Sequence, residues 1–355
     1  MSVYTGYDPL LEVIVGDCHR PGDLDYALPD ESKDNFNIIL KETVEDLNNL
    51  SSHLKSMGVT VYRPNVTKYN APVDLSNFQI PIPTSPIVPR DQYLVYGETI
   101  YQTYTSMPER YLDSINYYDI FKKLFDDGYN WLSMPPPVLS NLTDFDRWWL
   151  KGQTIYNTRT NLLWHTATFF KCGNTIIYNE LGPGTNVGFE WMRRNMPNTK
   201  FIKNDSQYAK GWGHIDHGFF MVDDERVFCV DKNWVPSCLL NKQIIEIGKY
   251  FQHFGLGEYS FDLGNTPGKL SPEWLEKWLV EWKGYSQEVN FDSNVLVVDS
   301  QNVIFSHYHK ELFDFMKNMG ITAHYCPQRH GIFWESGIHC LTLDIKRQGS
   351  NRTIC

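Results

Sequence analysis

Two stretches far apart in the chain echo one another closely. His53-Leu-Lys-Ser-Met-Gly-Val-Thr-Val-Tyr-Arg-Pro64 is matched in kind by Phe315-Met-Lys-Asn-Met-Gly-Ile-Thr-Ala-His-Tyr-Cys-Pro327. Each reads as the end of an amphipathic helix, a glycine stop, a short strand and a proline. A unit of this size buries its apolar face only against neighbouring copies of itself. Finding it near both ends of 355 residues therefore points to one helix-to-strand module wound repeatedly through an α/β fold.

The segments between agree with that reading. Leu11-Glu-Val-Ile-Val15 is a strand by its β-branched run, closed by Gly16. From Ser32 to about Met57 the apolar positions Ile38, Ile39, Val44, Leu47, Leu50 and Leu54 recur at helical spacing, and Gly58 supplies the stop. Val59 to Tyr62 follows as a strand. Gln79 to Pro89 is proline-rich and is expected to be an extended connection. Gln92–Val95 and Glu98–Thr103 flank Tyr96-Gly97 as a hairpin, Arg110 to Phe125 forms a helix before Gly128, and Pro135-Pro-Pro137 breaks the chain again.

Composition removes several function classes. The 11 Trp, 21 Tyr and 20 Phe exclude disorder as the main state. Thirty-two basic against 42 acidic residues give a net charge of −10, with no basic stripe for nucleic acid. Apolar runs are strand-sized, well short of the roughly 20 residues a spanning helix needs. The N-terminal residues lack the pattern of a signal peptide. Seven scattered cysteines with no Cys-x-x-Cys pair argue against a disulfide framework and a thiolate zinc site. The expectation is a soluble, reduced, cytoplasmic protein without membrane or nucleic-acid partners.

Four stretches carry reactive residues where a turn or strand would present them: Val88-Pro-Arg-Asp91, Trp164-His-Thr-Ala-Thr-Phe-Phe170, Gly211-Trp-Gly-His-Ile-Asp-His217, and Gly337-Ile-His-Cys340 in the run opening at Arg329-His-Gly331. Buried cysteines are ordinarily inert, but Cys340 follows Gly337 and His339 and precedes the alternating Leu341-Thr-Leu-Asp-Ile345. A loop loosened by glycine thus delivers a thiol to a strand's start, where a nearby base or positive charge would make it a nucleophile. In an extended segment His214 and Asp216 face the same side. The same geometry sends His217 to the opposite side, so no metal site is expected from His214, Asp216 and His217. His307-Tyr-His309 reads as a solvated loop pair. Asp91 is either a surface or turn-capping carboxylate or, together with Asp216, a grip for a planar guanidinium with its fixed fork of donors.

These motifs resemble the glycine amidinotransferase family of the guanidine-modifying pentein superfamily, and the resemblance covers most of the chain. It begins at Tyr7-Asp-Pro-Leu-Leu-Glu-Val-Ile-Val-Gly16. It continues through Pro89-Arg-Asp91, Gly97, Glu109-Arg-Tyr-Leu-Asp113, Pro135 to Pro137, Gly188-Phe-Glu-Trp-Met-Arg-Arg194 and His214-Ile-Asp216. It ends at Gly337-Ile-His-Cys-Leu-Thr-Leu-Asp-Ile-Lys-Arg-Gln-Gly349. The implied fold is a five-bladed α/β propeller of pseudo-repeated ββαβ modules, one amidinotransferase-like domain over residues 1–355.

The resemblance further implies Cys340 as nucleophile, His214 as general acid/base, and Asp91 with Asp216 as the guanidinium clamp. The family's Phe-Asp-Ala-Ala-Asp stretch, taken without gaps back from Gly188-Phe-Glu-Trp191, falls on Trp164-His-Thr-Ala-Thr168. His165 then stands where the family has a catalytic carboxylate, and Thr168 where it has a second Asp. The Val222–Glu288 segment departs from the family pattern in the region tied to acceptor recognition. The implied reaction moves the amidino group of L-arginine through a covalent amidino-cysteine to an acceptor amine, glycine or similar, releasing L-ornithine. No cofactor and no metal are needed, and a homodimer is an admissible assembly. The alternatives are a deiminase-type hydrolase on the same site and a guanidine-binding protein with an altered one.

Overall fold

The computed structural model describes residues 2–26, 30–66, 73–75, 78–80, 84–105, 110–136, 162–180, 186–207, 214–251, 293–331, 333–334 and 336–355. Residues 211–213 ahead of His214, Glu109, Pro137, and the Val222–Glu288 segment from 252 onward lie outside them.

Four times the chain makes an antiparallel hairpin and then a third strand parallel to its second. Strands β5 (Tyr93–Tyr96) and β6 (Thr99–Gln102) pair antiparallel, helix α2 (Asp113–Asp126) crosses over, and β7 (Asn130–Ser133) joins β6 in parallel. The pattern recurs in β8 (Phe169–Cys172), β9 (Thr175–Tyr178), α3 (Val187–Asn195) and β10 (Lys200–Lys203). It recurs in β14 (Leu296–Asp299), β15 (Asn302–Phe305), α4 (Lys310–Asn318) and β16 (Thr322–Tyr325). In β11 (Phe219–Met221), β12 (Arg226–Cys229) and β13 (Gln243–Glu246) short 3₁₀ turns replace the helix.

The fifth module is assembled from both ends of the described chain. β17 (Thr342–Arg347) pairs antiparallel with β1 (Leu10–Val15), α1 (Asp30–Ser56) crosses over, and β2 (Thr60–Tyr62) lies parallel to β1. A two-stranded ribbon, β3 (Val73–Leu75) with β4 (Phe78–Ile80), stands apart from the five sheets.

Apolar side chains join each sheet to the next. Ile14, Leu343 and Tyr93 share one cluster between the β17–β1–β2 and β5–β6–β7 sheets. Leu94, Tyr101, Phe169 and Ile176 fill the next interface. Ile177, Phe228 and Phe305 link the third, fourth and fifth sheets, and Leu296, Ile304 and Val13 return to the first. The sheets therefore succeed one another in a ring, the five-bladed propeller that the family resemblance implied.

The two echoed segments behave alike. Gly58 and Gly320 take φ of +84° and +77°, the left-handed stop that glycine adopts without steric cost. Gly97 turns the β5–β6 hairpin at φ +62°. The helix expected from Arg110 begins later, at Asp113, because the Arg110 guanidinium is drawn inward to acidic partners. The expected solvated pair His307 and His309 is instead buried, 4% and 6% exposed. His307 Nδ1 meets Ser306 Oγ at 3.0 Å, and the His309 ring packs 5.5 Å from that of Phe251.

Candidate active site

Each module places its chemistry at one position, the turn just ahead of its first strand. Asp91, His217, Asn294 and Cys340 each lie two residues before the first strand of their module, and His165 caps the 3₁₀ turn Thr166–Thr168 that leads into β8. Because the modules are arranged as a ring, these turns converge.

Cys340 is 1% exposed and held from two directions by Asn294. The Asn294 Nδ2 donates to Cys340 Sγ at 3.2 Å and its Oδ1 accepts from the Cys340 backbone N–H at 3.0 Å. Gly337 makes room for that arrangement, since a Cβ there would sit 2.6 Å from the Asn294 Cβ. Cys340 Sγ lies 3.7 Å from Asp216 Oδ2 and 3.7 Å from His217 Nε2. His339 Nδ1 meets Asp216 Oδ2 at 2.5 Å, which fixes the carboxylate beside the thiol.

His214 and Asp216 do face one pocket, but not for the reason the sequence suggested. Ile215–His217 is a 3₁₀ turn and only His214 ahead of it is extended. The turn swings His217 to the same side, so His214, Asp216, His217 and Cys340 offer ligand-type atoms all within 4.8 Å of one another. Strand geometry had directed His217 away. That expectation is overturned.

Asp91 is buried and half engaged. Its Oδ2 accepts from Arg110 Nη1 at 2.6 Å, while Arg110 also reaches Asp113 Oδ2 at 3.3 Å and the Val88 carbonyl at 2.8 Å. Asp91 Oδ1 faces His214 Nε2 at 3.9 Å. Neither Asp91 Oδ1 nor Asp216 Oδ1 has a hydrogen-bond partner, although both atoms are shut away from solvent. The His165 ring lies 5.8 Å from that of His214, and neither of its buried ring nitrogens is hydrogen-bonded. Thr168 points elsewhere, its hydroxyl donating to the His165 carbonyl at 2.7 Å.

Beneath the thiol lies a cluster of buried charge. Asp344 pairs with Arg90 Nη2 at 3.3 Å, Lys171 Nζ at 3.0 Å and Arg347 Nε at 3.2 Å. Arg90 Nε also donates to the His339 carbonyl at 2.7 Å, tying this cluster to the loop that carries Cys340. Arg329 and His330, by contrast, serve α1: Arg329 binds Asp46 and Glu45, and His330 Nε2 meets Glu42 at 2.6 Å.

Burial and the Asp216 and Asp91 carboxylates push the Cys340 thiol well above its ordinary value, so without a ligand it stays protonated. Burial works against the charge on Asp216, yet the His339 hydrogen bond and neighbouring imidazoles hold it below the usual carboxylate range. Asp91 is depressed in the same sense, His214 and Arg110 outweighing its burial. Burial pushes His165 down to about 3 and His217 down to about 4, leaving both neutral near pH 7. A protonated thiol, two ionised carboxylates each with an oxygen lacking a hydrogen bond, and the neutral His165 and His217 rings make a site that is short of a cation.

Sequence reading named Cys340, His214, Asp216, Asp91 and His165, and the structure brings the four turns that carry them together. It passed over Asn294 and Arg110, treated His339 only as a neighbour and dismissed His217. The repeat held the missing signal, since Ser293-Asn294 precedes Leu296-Val-Val-Asp299 as His339-Cys340 precedes Thr342.

No protein-family model matches the chain. Inosamine-phosphate amidinotransferase 1 of Streptomyces glaucescens is 26% identical over 376 residues, covering 99% of this chain and 98% of that protein. The mitochondrial glycine amidinotransferase of Gallus gallus is 24% identical over 377 residues, covering 98% of this chain and 83% of that protein. The solved structure of an amidinotransferase of the saxitoxin biosynthetic pathway from Microseira wollei matches with a TM-score of 0.74 at 21% identity, covering 100% of this chain and 99% of the other. The likeness to amidinotransferases read from the motifs thus extends along the whole chain, and the fold is the pentein fold.

Proposed function

We propose that this relative of the amidinotransferases moves the amidino group of L-arginine, through a covalent link to Cys340, onto an acceptor amine and releases L-ornithine. The observation that carries the reading is the pair of buried carboxylate oxygens, Asp91 Oδ1 and Asp216 Oδ1, that lack hydrogen-bond partners beside a buried thiol and neutral imidazoles. A guanidinium is cationic at any physiological pH and presents donors in a planar fork that suits carboxylates.

Arrival of that cation offsets the two negative charges that keep Cys340 protonated, and the thiol pKa falls. His217 Nε2, 3.7 Å from the sulfur, is placed to take the thiol proton. The thiolate attacks the amidino carbon, and the proton taken from the thiol passes from His217 to His214, the two rings lying 5.8 Å apart. His214 delivers it to the departing amine, so ornithine leaves and an amidino-thioether remains. The acceptor amine then attacks the same carbon, gives its proton to His214, and returns the sulfur to its free state. This is ping-pong chemistry by an activated nucleophile. His339 and Asn294 hold the reacting carboxylate and sulfur in register and need not touch the substrate.

The acceptor is an amine. Relatives are named for glycine and for inosamine-phosphate, which makes glycine one acceptor to test among several. The decisive experiment is incubation with L-arginine alone and with a panel of amines, followed by mass spectrometry of the products. Ornithine that appears only with an amine supports transfer. Ornithine with urea made without an amine means that water accepts the amidino group. Citrulline with ammonia means deiminase-type hydrolysis through the other C–N bond, and absence of all these products means that the site only binds guanidines.

A further inference from the structure

We propose that Cys340, His217 and Asp216, closed by His214, form a binding site for a thiophilic divalent cation of the zinc type. Four ligand-type atoms from these residues lie within 4.8 Å of one another. Two edges of the figure are 3.7 Å, from Cys340 Sγ to His217 Nε2, and 3.8 Å, from His217 Nε2 to Asp216 Oδ1. Tetrahedral zinc with a sulfur at about 2.3 Å and nitrogen or oxygen at about 2.0–2.1 Å spaces such ligands roughly 3.3–3.6 Å apart. Those two edges need to close by only a few tenths of an ångström, and the others start within 4.8 Å.

The donor set selects the ion. One sulfur, two imidazoles and one carboxylate suit zinc and other soft or borderline cations, whereas magnesium and calcium take oxygen. Asp216 Oδ1 has no hydrogen-bond partner and is the oxygen left for an ion, because Oδ2 is engaged by His339 Nδ1 at 2.5 Å. Asn294 orients the sulfur from its other side at 3.2 Å. Groups that hydrogen-bond metal ligands in this way orient them and strengthen binding.

A second trio, Asp91, His165 and His214, also comes within 4.8 Å. It is the weaker candidate, since the Arg110 guanidinium occupies Asp91 at 2.6 Å and repels a cation. His214 belongs to both groups and completes the one that carries the thiol.

The ion would take the thiolate and carboxylate that a guanidinium substrate needs, so it acts as an inhibitor; this corollary rests on the proposed reaction, but binding itself does not. The test is calorimetric titration of chelator-stripped full-length protein with zinc chloride, alongside cobalt(II) absorption spectroscopy. One ion per chain is expected, with a thiolate-to-cobalt charge-transfer band in the near ultraviolet. Cys340→Ser should abolish the band, and His217→Gln should weaken zinc binding by more than the roughly 10–100-fold typical of losing a group that merely hydrogen-bonds a ligand. Cys238→Ser should leave both unchanged. Circular dichroism checks that each variant is folded. No zinc binding, or binding equally tight in folded Cys340→Ser and His217→Gln, overturns the proposal. Amidino transfer is assayed separately in chelator, so either idea can fail without the other.

Discussion

His217 Nε2 stands 3.7 Å from Cys340 Sγ, and the two residues hold equivalent places in their modules, each two positions ahead of the first strand. An imidazole and a thiol 123 residues apart, the base and nucleophile of the proposed reaction, meet because the fold repeats one turn and closes it into a ring. The same geometry that assembles the propeller assembles the chemistry. Either residue can be disturbed from a distance by whatever sets its turn.

Gly337 is one such point. A Cβ at that position would meet the Asn294 side chain at 2.6 Å and 2.8 Å and its backbone oxygen at 2.9 Å, forcing a shift in the residue that holds the thiol. Gly337→Ala should cost about 1–3 kcal/mol of stability, as overpacking does, and lower kcat more than it raises the KM for arginine. Unfolding titrations and steady-state kinetics read the two effects. An unchanged kcat would show that Asn294 does not position the sulfur.

Asp216→Asn removes a charge that a bound guanidinium would otherwise neutralise. Losing one member of a buried charge pair costs about 2–5 kcal/mol, so arginine affinity should fall by roughly 30-fold or more. Calorimetry with arginine on Cys340→Ala and on the double variant measures this without turnover. Equal affinities would mean that Asp216 is not part of the grip.

His165 tests the departure from the family motif. Its ring lies 5.8 Å from that of His214, and burial keeps it neutral, so it supplies no negative charge to a protonated His214. His165→Asp should supply that charge and move the pH profile of kcat toward higher pH, since a nearby carboxylate favours the imidazolium. An identical profile in the variant would remove His165 from the catalytic account.

Much of this was legible in the sequence, and what was missed had one cause. The echo of helix, glycine and strand gave the repeated module, because Gly58 and Gly320 are needed for the same left-handed stop. Strand and hairpin bounds followed from local apolar patterning. The candidate site residues Cys340, His214, Asp216 and Asp91 stood out as motifs, and the structure brings them together. His217 was not, because strand alternation was applied to a segment that tertiary convergence draws into a 3₁₀ turn. Arg110 and Asn294 were missed because their importance lies in partners far along the chain, Asp91 and Cys340. His307 and His309 were misplaced because polarity was taken as exposure, whereas each found a partner in the interior.

Acid should unfold the protein in a window set by its neutral histidines. In the unfolded chain histidine takes up a proton as pH falls through about 6.5. In the folded protein His217 resists until about 4 and His165 until about 3. The unfolded state therefore binds more protons between these limits. Their contribution is undiminished above about 6.5 and is lost as pH falls, at about 1.4 kcal/mol per pH unit for each. His324, His330 and His339, also shifted downward by burial, act in the same sense. Asp91 and Asp216 are depressed and add their loss only below about pH 4. Urea unfolding across this range should show a shallower slope in the His165→Asn, His217→Asn double variant; the parental slope would contradict the assignment.

The central claim is that Cys340 carries the amidino group between donor and acceptor. Intact-protein and peptide mass spectrometry after rapid mixing with L-arginine, with no acceptor present, tests it most directly. The account predicts one added amidino group per chain on the Cys340 peptide, an equal amount of ornithine released, and discharge of the adduct when an accepted amine is supplied. Transfer to an amine with no adduct on Cys340, or continued in Cys340→Ala, would contradict it.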